Sequence, residues 1–516
     1  VKVVNIVPVE TAENLEYPAG PEPGRDEPFA VLHETHSAVV LLYGDRAYKI
    51  KKPVVTDFLN FATLPLREQA VARELDLNRR LSSDVYLGVG RFIPPGGGPA
   101  EPVLVMRRLP GTARLTTLLD DPGTARTTLS DLARLLADFH DAAARGPQID
   151  AAGTVAALRN RWKLLWDGCA TAPLGPTVTD RVRTAATRYL DGRETLFDDR
   201  IAQHRIVDGH GDLQADDIFR LPDGLRVLDC LDFDDNLRYV DRLDDIAFLA
   251  MDLEFRGHPD LAAWFVAQYH ALTSDPAPVS LHHHYLAYRA TVRAKVECIR
   301  HRQGDGDAAQ RARRYASIAL RHLADGTIRL ALVGGLPGTG KTTIAARLAQ
   351  DTGAILLSSD HIRIGLRTTG AVTGESGTFA TGAYSPQAAD HVYTTMLGEA
   401  RDHLARGRSV VLDASWIDAA QRARAVTLAE QTGTEILEFS CHAPQSVATE
   451  RIAARHGGES EATAQIAAAM GEIADPWPRA TVLDTTEPPA ETAAAALHAW
   501  AAAGTDAVLR PSAIPD

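Results

Sequence analysis

The chain has 516 residues, 45% of them hydrophobic and 23% charged, with a formal net charge of −13. That length is room for about two to four domains, and the acidic balance argues against bulk attraction to nucleic-acid phosphates or anionic membranes. The four cysteines lie far apart with no metal-type spacing, and the start carries no charged-then-apolar leader pattern. No run approaches the ~20 apolar residues of a membrane span, so a cytoplasmic protein with idle thiols is expected.

The first thirty residues hold Pro8, Pro18, Pro21, Pro23 and Pro28 among acids and glycines, which reads as an extended lead-in. From Ser37 the run AVVLLYGDRAYKIKK predicts two strands around a Tyr43-Gly44-Asp45 turn. A helix is expected over 66–81, then a strand over Pro102–Met106. Residues 124–205 read as helical, with Leu129, Leu132, Leu135, Leu136 and Phe139 at helical spacing. Short strands near 208–233 give way to long helices up to about Leu323. Within them, His282-His283-His284 spread around a helix and read as solvated, and the arginines of 289–314 read as a charged helix face.

A second unit opens at Thr327 with the apolar strand Ile328–Val333, a glycine loop and a helix over Thr342–Ala349. Strands at 354–357, 409–412 and 435–440 then alternate with helices at 388–405, 419–431 and 444–455, and a last helix covers 490–503. Such alternation predicts a doubly wound parallel sheet. The expected boundaries are a lead-in over 1–30, an N-terminal lobe over 31–110, a helical lobe over 111–325, a P-loop domain over 326–505 and a tail.

Gly335-Leu-Pro-Gly338-Thr339-Gly340-Lys341-Thr342 fits G-x-x-x-x-G-K-[ST] without a mismatch, between a strand and a helix. Its glycines free backbone N–H groups to curl around phosphates, Lys341 supplies a point charge, and Thr342 can ligate Mg²⁺ beside Thr343 at the helix start. The next strand delivers Asp360 and Arg363 at its carboxyl end, where open α/β sheets bind ligands. Asp360 is a candidate acceptor base and Arg363 a partner for an anionic substrate. Val410-Val-Leu-Asp413 ends like a Walker B strand, with Asp413 near the metal, and Arg451 and Arg455 share a helix face from which they can neutralise a transferring phosphoryl group. Residues 327–500 resemble the small P-loop kinases (polynucleotide kinases, zeta-type toxins, gluconate kinase, chloramphenicol phosphotransferase). The resemblance is carried by GGLPGTGKTT, SSDHIR, VVLDAS and TERIAAR, and implies that Asp360 is the base and Arg451 and Arg455 are lid arginines.

Upstream, His210-Gly-Asp212-Leu-Gln-Ala-Asp-Asp217-Ile-Phe runs like a kinase catalytic loop, H-x-D-x-x-x-x-N, with aspartate at the asparagine position. HGDL…DIF, Leu231-Asp232-Phe233-Asp234 and Asp244-Asp245-Ile-Ala-Phe resemble the aminoglycoside phosphotransferase family. That resemblance implies a bilobal protein-kinase-like (α+β) unit with Asp212 as base and Asp217 and Asp232 as Mg²⁺ ligands, Asp229 being the alternative to Asp232. Lys49 is the expected phosphate-pairing lysine, with Lys51 on the same strand face, and Glu74 is its expected partner ahead of Glu68. The chain is thus expected to use ATP (or GTP) and Mg²⁺ on a small hydroxylated acceptor such as an amino sugar or aminoglycoside. In the rival reading the P-loop unit does the chemistry, on a sugar, a nucleotide-sugar or, less favoured, a nucleic-acid end; a third is a nucleotide switch with no acceptor.

Overall fold

A computed structural model describes residues 6–8, 28–35, 37–55, 60–93, 98–166, 172–372, 382, 385–454 and 463–509. Packing divides the chain into two compact units, 1–153 with 200–276, and 154–199 with 277–516.

The large sheet of the first unit is built from β1 (Ile6–Pro8), β2 (Ala30–Glu34), β3 (Ala38–Tyr43), β4 (Arg46–Lys51), β5 (Tyr86–Phe92) and β6 (Glu101–Arg107). They pair antiparallel in the order β1-β5-β6-β4-β3-β2. The expected hairpin turns at Gly44, whose φ of +56° suits a residue without Cβ. β2 and β5 were not anticipated: β2 is mostly exposed, and Tyr-Leu-Gly-Val-Gly-Arg-Phe of β5 carries two glycines that weaken a strand pattern. The helix Leu64–Ser82 carries Pro65 in its first turn and buries Val71, Glu74, Leu77 and Asn78. Val71 meets Val85, Tyr86 and Leu104 in the core beneath the sheet, so the carboxylate of Glu74 is carried inward on an apolar face. Further along, the helix Pro122–Ala142 buries Leu129, Leu132, Leu136 and Phe139. β7 (Ile206–Asp208) pairs with β10 (Tyr239–Asp241), and β8 (Ile218–Leu221) with β9 (Gly224–Val227), all antiparallel. The helix Arg242–Phe255 that follows is buried over nearly its whole length.

The second unit holds β11 (Arg329–Gly334), β12 (Ile355–Ser358), β13 (Val410–Asp413), β14 (Glu435–His442) and β15 (Thr481–Asp484). They form a parallel sheet in the order β12-β13-β11-β14-β15. Its central strands are covered on both sides, which explains their continuous apolar sequences. One covering layer packs Ile344, Leu348 and Trp500 against Ala331 and Val333. The helices Val155–Trp166, Pro176–Leu190, Val279–Arg302 and Ala308–Asp325 belong to this unit too. Two expectations are corrected there. His284 is buried rather than solvated, and Arg289 is buried within the stretch read as a charged face, because the helix carrying them is covered on several sides. Cys230, Cys298 and Cys441 are free and buried, while Cys169 lies outside the described residues. Among the described residues no helix is long and apolar enough to cross a membrane.

Candidate functional site

In the first unit, β4 sends Lys49 and Lys51 to one face, two residues apart. Lys49 Nζ lies 2.7 Å from Glu74 Oε1 and 2.7 Å from Asp229 Oδ1. Lys51 Nζ lies 2.8 Å from Glu74 Oε2 and 2.6 Å from Asp232 Oδ2. One buried carboxylate therefore holds both lysines, and Glu68, the second choice as partner, is exposed. Burial opposes the charge on each of these groups, but the opposite charges prevail: both lysines are held above their ordinary pKa and Glu74 below its own. The two aspartates meet different lysines. Asp229 faces Lys49, while Asp232, the preferred ligand from sequence, is engaged by Lys51.

The catalytic-loop segment is held by its backbone. Asp245 Oδ2 accepts from the His210 N–H at 2.7 Å and from His140 Nε2 at 3.0 Å, and Asp245 Oδ1 accepts from the Gly211 N–H at 2.8 Å. Burial would raise the Asp245 pKa, but these donors hold it well below the usual carboxylate range. Any Cβ on Gly209 would stand 2.5 Å from Asp245 Oδ2, so glycine is required for this approach. The His210 ring donates from Nε2 to the Leu228 carbonyl at 3.1 Å and accepts at Nδ1 from the Asp212 N–H at 3.3 Å. That pairing is the neutral ring, and burial lowers its pKa to about 4. Asp212 also accepts from Gln214 Nε2 at 3.0 Å. Asp217, in the short turn Ala215–Asp217, is pushed well above the carboxylate range by burial and then by the charges of Asp229 and Asp212. Asp229 has φ +60°, an uncommon conformation for a residue with a side chain, and its N–H donates to the Tyr86 hydroxyl at 3.1 Å. Asp217 with Asp212 and Asp229 beside it offers hard oxygen donors that fit Mg²⁺, although Asp229 is already held in its charged form chiefly by Lys49. Sequence reasoning missed His140, which sits in an ordinary amphipathic helix with no local signal.

In the second unit Gly335, Gly338 and Gly340 have φ of +145°, +83° and +84°. A Cβ on Gly338 would meet the Ala448 carbonyl oxygen at 2.4 Å, and one on Gly335 the Thr339 hydroxyl at 2.5 Å. The helix begins at Lys341, so Lys341, Thr342 and Thr343 form its first turn. β13 lies beside β11 with Asp413 opposite Val333. Asp413 is 3% exposed, and its Oδ1 has no hydrogen-bond partner. Burial raises its pKa against the pull of Lys341 and of the Thr342 and Ser358 side chains, while the charge of Asp360 adds to the rise. A buried, unmatched carboxylate oxygen beside a threonine hydroxyl again fits Mg²⁺. Asp360 pairs with Arg363 one turn along the helix Ser359–Thr368, whose N-cap position is Ser358. Arg451 Nη2 donates to the Thr485 carbonyl at 2.7 Å, and its Nη1 lies 3.7 Å from where a Gly340 Cβ would be. Arg455 lies outside the described residues. A cavity of about 680 Å³ opens against Gly335–Thr339, walled by Trp416, His442 and Trp477 among others.

The Phosphotransferase enzyme family matches residues 58–282, and the AAA domain family matches residues 330–476. These two assignments support a kinase activity. The chain is 46% identical over 484 residues to the uncharacterised proteins Rv2004c of Mycobacterium tuberculosis and Mb2027c of Mycobacterium bovis, covering 93% of this chain and 97% of each relative. Among solved structures, a choline/ethanolamine kinase family protein from Mesorhizobium loti is 17% identical, with TM-score 0.36, over 58% of this chain and 92% of that one. A sugar kinase from Janibacter sp. is 21% identical, with TM-score 0.27, over 35% of this chain and 98% of that one. The chain belongs to the family of these mycobacterial proteins, and in it a phosphotransferase-type domain over 58–282 is followed by a P-loop kinase domain over 330–476.

Proposed function

We propose that the chain is a cytoplasmic phosphotransferase that moves the γ-phosphoryl group of ATP (or GTP) to a hydroxyl of a small polar acceptor at the kinase-like unit. The observation that carries this reading is the convergence of Lys49, Glu74 and Asp229 with Asp212 and Asp217. Lys49, fixed by Glu74, orients phosphate oxygens. Asp212 takes the proton as the acceptor oxygen bonds to phosphorus and the bond to the nucleoside diphosphate breaks. Asp217 and Asp229 would hold Mg²⁺, which supplies charge neutralisation, and Asp232 serves through Lys51. Catalysis of this kind is positioning plus electrostatics. An acidic protein suits a cationic acceptor such as an amino sugar.

A second reading is favoured by the grouping of Asp360 and Asp413 around Lys341. There the P-loop unit is the working kinase: the Gly335–Thr343 backbone cradles phosphates, Thr342 and Asp413 would hold Mg²⁺, Asp360 is base and Arg363 pairs with the acceptor. Arg451, and Arg455 with it, would offset phosphoryl charge. Asp212→Ala and Lys341→Ala variants, assayed for ATP consumption and phosphorylated product against amino sugars, aminoglycosides, nucleosides and sugar acids, decide between them. Product lost with Asp212→Ala alone supports the first reading, and product lost with Lys341→Ala alone overturns it. ATP binding without product from any acceptor leaves the nucleotide-switch reading standing and sinks both others.

A further inference from the structure

At the base of the second unit's sheet lies a cavity of about 30 Å³ that the nucleotide sites do not touch. Tyr189, Arg193, Ser280, His284, His322 and Ile328 are among its walls. Arg193 is 0% exposed. Its Nη1 donates to the Gly192 carbonyl at 3.1 Å, but Nε and Nη2 have no hydrogen-bond partner. Among the described residues no carboxylate forms an ion pair with it: Asp191 is committed to Arg159 at 2.8 Å, and the charges of Asp191 and Glu194 favour the guanidinium without overcoming its burial.

His284 repeats the pattern. The Trp162 indole, a donor only, gives its Nε1–H to His284 Nε2 at 3.1 Å, which places the ring proton on Nδ1. That Nδ1 is buried and has no partner. The ring is fixed by stacking on Tyr189, with centroids 4.3 Å apart and planes 17° from parallel. The Tyr189 hydroxyl and Ser280 Oγ are 3.2 Å apart, and Ser280 in turn donates to the Gly407 carbonyl at 2.6 Å. Ser280 and His284 lie in the first two turns of the helix starting at Val279, whose amino end carries partial positive charge.

We infer that this cavity binds a single small monovalent inorganic anion of about chloride size, held by the guanidinium of Arg193 and the Nδ1–H of His284. A water occupies about 10–15 Å³ on this scale, so the space admits one such ion with a water and excludes a nucleotide or sugar. Water alone would accept the orphaned N–H groups but leave a buried charge with no anion in contact, which is a costly arrangement. Burial lowers the pKa of Arg193 to about 10, outweighing the pull of Asp191 and Glu194, and that of His284 to about 3. The wall formed by Gly326, Thr327 and Ile328 runs straight into β11, the strand that ends in the P-loop. The anion therefore braces the root of that strand.

The test uses the full chain. Crystals grown in bromide are expected to show an anomalous peak between Arg193 and His284. Replacing gluconate by chloride at constant ionic strength is expected to raise the Tm of the second unit by about 2–4 °C, and an Arg193→Met variant to lose that response. Should the variant not fold, the two measurements on the unaltered protein decide alone. Absence of bromide density at the site, or superimposed chloride and gluconate melting curves, means the cavity holds water only and overturns the proposal.

Discussion

Replacing Asp245 by asparagine tests how the first unit holds the His210–Asp217 segment, its proposed catalytic loop. The carboxylate accepts from the His210 and Gly211 amides and from His140, all in the interior. Asparagine keeps the shape but can offer one oxygen. Whichever way it turns, a buried N–H then faces an amide NH₂, at about 1–3 kcal/mol for the unsatisfied donor. The surviving bonds pass from a charged to a neutral acceptor, at roughly 1 kcal/mol each. The sum is about 3–5 kcal/mol, which corresponds to roughly 100-fold or more in an opening equilibrium. Hydrogen exchange read by mass spectrometry over 205–250 should show the His210 and Gly211 amides exchanging faster by at least that factor. Phosphoryl transfer at this unit should fall in parallel, because Asp212 follows the loop. Protection within tenfold of the unaltered chain would refute the view that Asp245 is what fixes the loop.

Gly338→Ala places a methyl 2.4 Å from the Ala448 carbonyl oxygen at a φ of +83°, and should weaken nucleotide binding by the P-loop unit at least about tenfold in equilibrium titration. Asp217→Asn removes a carboxyl whose ionisation burial, Asp229 and Asp212 all oppose; the metal-free first unit should gain about 1 kcal/mol or more in urea denaturation, and a lower midpoint would contradict the crowding argument. The His210 pKa is lowered from 6.5 to about 4 by burial, so between those values the unfolded chain binds the extra proton and stability falls as pH falls. The slope contributed is about 1.4 kcal/mol per pH unit, and His210→Gln should remove it from the stability profile of the first unit.

The parts of both units most legible in the sequence were those where chemistry forces a residue type at fixed spacing. The P-loop needs glycines at positive φ against Ala448 and Thr339, and the doubly wound sheet needs unbroken apolar strands such as Val410–Leu412. What was not legible depends on partners distant in the chain. β5 hides behind its two glycines and β15 is four residues long, so neither has a pattern strong enough to stand alone. Asp229 and Asp232 are separated only by which lysine each meets, 180 and 181 residues away. His140 becomes part of the loop support because its helix passes Asp245, which no local spacing encodes.

The two nucleotide sites share an electrostatic logic that explains why their residues are costly to keep without ligand. In the first unit, Asp217 sits where burial and two other carboxylates oppose its charge. In the second, Asp413 keeps a buried oxygen with no donor. Neither arrangement is what folding alone would choose, since an apolar side chain of similar size in either place would avoid the desolvation. A divalent cation reverses the sign of that argument, turning a like-charge cluster into a coordination sphere. Lys49 and Lys341 cannot play this part, because each is a single charge held beside the carboxylates on a flexible stem. On the proposed reading the acids are halves of sites whose other half arrives with the nucleotide, and any stability a unit gains from Mg²⁺ and ATP is expected to scale with free ligand as binding linkage requires.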